Sequence, residues 1–133
     1  MSLLERMRPS FELQLPPTEQ APAEARRSLD RLDGHLDPDG LETMRLLVSE
    51  LFTNSVKYGA RRDGARIRLS IAVTDEHARV EIGDHGRGFD EGEVPMPDFE
   101  TESGRGLAFL DALADRWGVV RNGETCVWFE LHF

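Results

Sequence analysis

Three short stretches of the chain carry residue types that could do chemistry. In EIGDHGRGFD, residues 81–90, a strand-like run ends on Asp84, and glycines follow at 86 and 88. A tight turn needs one glycine for a positive φ angle. Two of them beside an acid imply a backbone that comes close to something else. A buried carboxylate needs a donor partner, or it keeps its proton. The exocyclic amine of a flat base would supply that donor, and the glycines would leave room for the ring. In SELFTNSVK, Glu50 and Asn54 stand one helical turn apart, the acid able to accept a proton and the amide oxygen able to bind a metal. In ESGRGLAFLDALADRW, Gly104 and Gly106 open a helix whose free N–H groups and positive dipole end suit a phosphate. Arg105 between them adds a planar donor fork. Each stretch also has a plainer reading: a solvated helix face for Glu50 and Asn54, and helix caps for the glycines.

The elements that must hold these residues can be read from periodicity and punctuation. FELQL (Phe11 to Leu15) alternates as a strand, and the segment from Thr18 to Leu36 reads as a charged amphipathic helix. Asp37 and Pro38 supply an N-cap and a first-turn proline for a second helix to about Tyr58, stopped by Gly59. On that helix Leu41, Met44, Val48, Leu51, Phe52 and Ser55 share one face. Thr43, Glu50, Asn54 and Lys57 lie opposite, flanked by Leu46 and Leu47. Arg66 to Val73 and Ala78 to Asp84 read as strands joined by the turn TDEH. Phe89 to Ser103 is a long Gly-, Pro- and acid-rich loop, of the kind that is usually functional. A helix from Gly104 to Arg116 follows, then strands WGVV and TCVWFELHF around the turn RNGE. The order β-α-α-β-β-loop-α-β-β predicts an α+β two-layer sandwich, a single domain over residues 10–133 after a short segment, 1–9.

Composition narrows the function. The 133 residues suit one domain with a core of its own, and the net charge of −9, from 25 acids against 16 bases, argues against a nucleic-acid partner. A nucleotide remains compatible, because backbone N–H groups and a metal ion can hold a small anion on an acidic protein. One cysteine, Cys126, excludes a disulfide framework and reads as a packed strand residue; its scarcity fits a cytoplasmic protein. The four histidines are scattered without ligand spacing, which leaves no zinc site. No apolar run approaches the roughly 18 residues of a membrane span, and the opening MSLLERMRPS lacks a signal-peptide core.

Known glycine and acid motifs do not fit. DHGRGFD has glycines where a calcium loop needs oxygen ligands, and Pro95 stands where its closing Glu belongs. Neither GRGFDE nor GRGLAF completes the dinucleotide fingerprint, and no G-K-[ST] exists for a P-loop. Taken in order, however, E50-LFT-N54, D84-H-G86-R-G88-F89 and G104-R-G106-L107 resemble the N, G1 and G2 boxes of the Bergerat-fold (GHKL) ATP-binding domain. Sensor histidine kinases, type II topoisomerases, heat-shock chaperones and mismatch-repair ATPases share that domain. With its compact lid and terminal GRGLAFLDALADRWGVV…VWFEL, the chain is most similar to the anti-sigma-factor serine kinases and the stand-alone actinobacterial ATP-binding regulators. The resemblance covers roughly Phe11 to Phe133.

The resemblance implies a mixed, mostly antiparallel sheet with helices on one face. It assigns Glu50 as the acid that positions or deprotonates the attacking hydroxyl, Asn54 as a Mg²⁺ ligand, and Lys57 to the phosphate end. Asp84 becomes the acid that reads the adenine amine, with Gly86 and Gly88 beneath the base and Phe89 starting the lid. Gly104, Arg105, Gly106 and Leu107 match the phosphate-side loop and helix start. Thr125 is the candidate for an adenine-supporting threonine, its register against VWFEL open by one residue. The implied activity is transfer of the ATP γ-phosphate to a serine of an anti-anti-sigma (STAS-type) protein. A sigma factor is a further partner, the chain pairs as a homodimer, and neither nucleic acid nor membrane is involved. The alternative is a nucleotide-gated binding module with little or no kinase activity. A histidine-kinase fragment and a topoisomerase-type ATPase fit less well, since nothing N-terminal offers a phosphoacceptor hairpin and no further domain supplies a lysine to the γ-phosphate.

Overall fold

The structure is a computed structural model that describes residues 10–58, 65–74, 76–84, 105–121 and 125–133. In chain order the elements are β1 (Phe11–Leu15), α1 (Ala21–Ser28), a 3-10 turn (Leu29–Leu32), α2 (Pro38–Tyr58), β2 (Ile67–Val73), β3 (His77–Asp84), α3 (Arg105–Leu113), β4 (Arg116–Arg121) and β5 (Thr125–His132). The five strands form one sheet in the order β1-β2-β3-β5-β4, and each of its pairings is antiparallel. The expected α+β two-layer sandwich is therefore what the chain builds.

Strict alternation writes the core. In IRLSIAV the residues Ile67, Leu69, Ile71 and Val73 are buried and their neighbours half-buried. The register sets Leu69 against Ile82 and Ile71 against Val80, and Val80 in turn against Phe129. This apolar side of the sheet packs with Leu41, Met44, Val48, Leu51 and Phe52 of α2. Phe52 and Phe129 are fully buried, each contributing roughly 2–3 kcal/mol of apolar transfer.

The first helix is shorter than its periodicity predicts. The α-helix ends at Ser28, whose Oγ donates to the Ala25 carbonyl at 2.6 Å, and the chain tightens into the 3-10 turn. It then reverses through Gly34 at φ 82°, a conformation that glycine adopts without strain. The buried row Ala21, Ala25, Leu29, Leu32 carries on across that change, which is why one long helix was readable in the sequence. Arg45 of α2 clamps this segment, donating to Asp30 Oδ1 at 2.8 Å and to the Arg26 carbonyl at 3.2 Å.

α2 starts as its capping residues predict: Asp37 Oδ2 accepts the Gly40 N–H at 3.0 Å, and Pro38 is the first helical residue. Gly40 also lets the Phe133 ring lie against the helix, for a Cβ there would stand 2.7 Å from Phe133 Cδ1. That contact fixes the start of α2 beside the end of β5. Along the helix Asn54 lies about 21 Å further on. Along the strand Thr125 lies about 26 Å back. The last turns of α2 therefore reach the end of the sheet where β5 begins and β3 ends. At the opposite end, Asp115 closes α3 onto β5: its N–H donates to the Glu130 carbonyl at 2.9 Å, and its carboxylate accepts the His132 N–H at 2.6 Å. The N-terminus of α3 is thus directed away from the Glu130–His132 end.

The side of the sheet without helices is closed by a ladder of charges. Arg68, Glu81, Arg79, Glu130 and Arg116 alternate in sign from β2 to β4, with N–O separations of 3.8, 3.1, 2.9 and 3.5 Å. The Arg79 guanidinium also stacks 4.3 Å above the Trp128 ring. Burial works against the Arg79 charge, but the hydrogen bonds it donates to Glu130 and Glu81 outweigh it and hold the guanidinium above its usual pKa. Arg79→Ala should destabilise the protein by about 1–2 kcal/mol, since it removes two ion pairs and a stacking contact. Urea denaturation measures this, and the loss should shrink as salt is added. An unchanged midpoint would show the ladder to be idle.

Candidate functional site

Asp84 is the last residue of β3 and, among the described residues, the buried charged one, with 7% of its surface exposed. It pairs with Ile67 and lies on the same side as Ala78, Val80 and Ile82, the side that faces the helices. Alternation calls for an apolar residue at this position, and the sequence places a carboxylate there. Withdrawing that charge from water costs several kcal/mol unless donors meet it. A carboxylate at the lip of an apolar core is therefore placed to read a hydrogen-bond donor.

The register against β5 resolves Thr125. β3 and β5 pair from His77↔His132 to Gly83↔Cys126, and one further step sets Asp84 across from Thr125. Thr125 thus shares a side with Asp84, along with Val127 and Phe129, and is half-buried at the start of β5. Cys126 points to the other side, buried as expected, with its Sγ 3.9 Å from Arg68 Nη2.

α2 supplies the second group. Glu50 and Asn54 are half-buried and Lys57 is exposed. They recur at i, i+4 and i+7, so they occupy one surface of the helix. Leu47 beside them is buried while Leu46 is 38% exposed, so the polar stripe runs along the boundary between core and solvent. α2 packs on β3 and β5, and from its pinned start its length carries this stripe toward the end of the sheet that bears Asp84 and Thr125. Arg105, Gly106 and Leu107 form the first turn of α3, which carries no acidic residue, so nothing there opposes an anion at the helix dipole. Gly86, Gly88, Phe89 and Gly104 lie outside the described residues.

Among the described residues no group of three His, Cys, Asp or Glu side chains could hold a metal ion. His77 and His132 do come together, their rings 5.8 Å apart, but at the end of the sheet remote from Asp84. No helix among the described residues is long and apolar enough to cross a membrane. One feature left no sequence signal: a cleft of about 670 Å³ beside Lys57, where the β1–α1 connection, α1 and α2 meet. Residues far apart in the chain line it.

An antiparallel sheet with helices on one face, a buried acid at a strand end and a packed helix that carries Glu, Asn and Lys on one surface has the architecture of the Bergerat ATP-binding fold. The profile described as histidine kinase-like ATPase domain matches residues 15–131, and the chain belongs to that family. It is 27% identical over 101 residues to the sensor protein kinase GraS of Staphylococcus aureus, an alignment covering 67% of the chain and 28% of GraS. It is 36% identical over 78 residues to an uncharacterized protein of Streptomyces coelicolor, covering 58% of the chain and 72% of that protein. The histidine kinase domain of the Erythrobacter litoralis EL346 blue-light activated histidine kinase shares the fold, with a TM-score of 0.56 at 22% identity over 83% of the chain and 58% of that domain. The chain thus spans little more than a quarter of GraS's length.

Thr125→Val keeps the side chain's shape and removes its hydroxyl. If Thr125 supports a bound base beside Asp84, ATP affinity should fall about five-fold, the worth of one hydrogen bond. Titration calorimetry reads the change. Unaltered affinity would take Thr125 out of the site.

Proposed function

We propose that this ATPase domain is a serine kinase of the anti-sigma type, passing the ATP γ-phosphate to a serine of a STAS-type anti-anti-sigma protein. The observation that carries the nucleotide half of this reading is the buried Asp84 at the end of β3. Its carboxylate accepts a hydrogen bond from the adenine amine, and Thr125 across the register supports the base; the family resemblance assigns Gly86 and Gly88 to the space beneath it. The triphosphate extends toward the start of α3, where Arg105, Gly106 and Leu107 offer backbone N–H groups and the dipole end, and the family resemblance assigns Gly104 to the same phosphate-side loop. The family resemblance assigns Phe89 to the start of the lid.

The donor set fits Mg²⁺ in one particular way. With Asn54 as the protein's oxygen ligand and no carboxylate cluster among the described residues, the ion would be held chiefly by the nucleotide's phosphates, as is usual for Mg²⁺. Bound there, it would neutralise charge on the transferring phosphoryl group. Lys57 adds a cation at the same end. Glu50, one turn before Asn54, orients the serine hydroxyl and receives its proton. A sigma factor as second partner, pairing of two copies and action in the cytoplasm belong to the same reading, and the similarity of the family resemblance is their support. Histidine phosphorylation, as in a sensor kinase, has less support: GraS is matched over only 28% of its length.

The test is transfer of labelled phosphate from ATP to a purified STAS-type protein. Glu50→Ala should lower the transfer rate at least about 100-fold while ATP affinity stays nearly the same. Association that depends on ATP, with no label transferred by the wild type, would instead identify a nucleotide-gated binding module.

A further inference from the structure

Strand pairing brings together two histidines that the sequence sets far apart. His77 opens β3, His132 closes β5, and the register places them directly opposite each other. Their own N–H groups turn outward: His77 N–H donates to Thr74 Oγ1 at 3.1 Å, and His132 N–H to Asp115 Oδ2 at 2.6 Å. The next pair bonds across the strands instead, Phe133 N–H donating to the Glu76 carbonyl at 2.8 Å. His77 and His132 therefore form a non-hydrogen-bonded antiparallel pair, the kind whose side chains come closest. The His132 side chain is 55% exposed and His77 is half-buried, so the pair is open to solutes. Their ring centres stand 5.8 Å apart, and an ion held about 2.0–2.1 Å from a nitrogen of each ring needs a spacing of about 5–6 Å.

We propose that His77 and His132 form a cross-strand clamp for a divalent transition-metal ion of the Zn²⁺, Ni²⁺ and Cu²⁺ class, independent of the nucleotide site. Imidazole selects these ions over Mg²⁺ and Ca²⁺, which take oxygen ligands. The rings stand edge to face at 65°, and rotation about χ2, which is broad for histidine, turns a nitrogen of each toward a common point. Thr74 equips His77 for the task. Its Oγ1 lies 3.1 Å from His77 Nδ1 and 3.2 Å from the His77 carbonyl, to which it can donate. With its hydrogen on that carbonyl, the hydroxyl oxygen accepts Nδ1–H, and Nε2 keeps the lone pair that binds metal. Around the pair, Asp115 and Glu130 offset the charges of Arg79 and Arg116. Among the described residues no third His, Cys, Asp or Glu completes a metal cluster, so water fills the remaining positions and the affinity is that of an open site. A bound ion ties the end of β5 to the start of β3, next to Phe133, whose ring lies against Gly40.

Calorimetric titration of the full chain with ZnCl₂, without nucleotide, should reveal a site whose affinity falls at least about tenfold in His132→Asn and in His77→Asn. His35→Asn removes an exposed histidine between the 3-10 turn and α2, and should leave that affinity within about two-fold. Excess MgCl₂ should not displace the zinc. Should a clamp variant fail to fold, Cu²⁺ added to the wild type gives a second readout, broadening the ring resonances of His77 and His132 before that of His35. Zinc binding that is absent from the wild type, unchanged in a folded His132→Asn, or weakened as much by His35→Asn would overturn the clamp, as would copper broadening that favours His35.

Discussion

The structure turns on one unfavourable act, the withdrawal of the Asp84 carboxylate from water at the edge of an apolar layer. Everything around it is arranged so that this charge stands where strand and helices converge. The β2–β3 register sets it beside Ile67, and β5 brings Thr125 across from it. The core beneath, built on Val80, Ile82 and Phe129, keeps the floor dry. In a low-dielectric setting a hydrogen bond to a carboxylate discriminates more strongly than it would in water. A site of this kind reads one donor group with few contacts.

α2 serves two masters. Its apolar face holds the sheet, and its opposite surface carries Glu50, Asn54 and Lys57. Because the same helix is pinned at Asp37, at Gly40 against Phe133 and at Arg45 against α1, that surface is fixed relative to the end of β3. Rigid supports of this sort keep reacting groups in place at no entropic cost during the reaction. The helix-free side of the sheet has the opposite character. Its charge ladder satisfies itself, with Glu130 only 14% exposed between two arginines and a histidine, and it leaves the chemistry to the other layer.

Much of this was legible in the sequence because it depends on short-range rules. The alternation of IRLSIAV, the Asp37-Pro38 start of α2 and the acid at the end of EIGD are each decided by neighbours a few residues away. Three boxes in order were enough to imply the family, which the match over residues 15–131 bears out. What the sequence hid depends on residues distant in the chain. The buried row of α1 runs on through a 3-10 turn, so periodicity alone overran the helix end. The side on which Thr125 lies follows from strand pairing with β3, a one-residue question that no local pattern answers. The Arg79–Trp128 stack and the cleft beside Lys57 exist only once strands and helices are assembled.

The most direct test compares ATP with inosine triphosphate, which lacks the purine amino group, on the wild-type protein and on Asp84→Asn by titration calorimetry. The wild type should prefer ATP by at least about tenfold, the worth of a charged hydrogen bond. That preference should vanish in Asp84→Asn. Equal binding of the two nucleotides by the wild type, or an undiminished preference in the variant, would contradict the assignment of this carboxylate as the reader of the base.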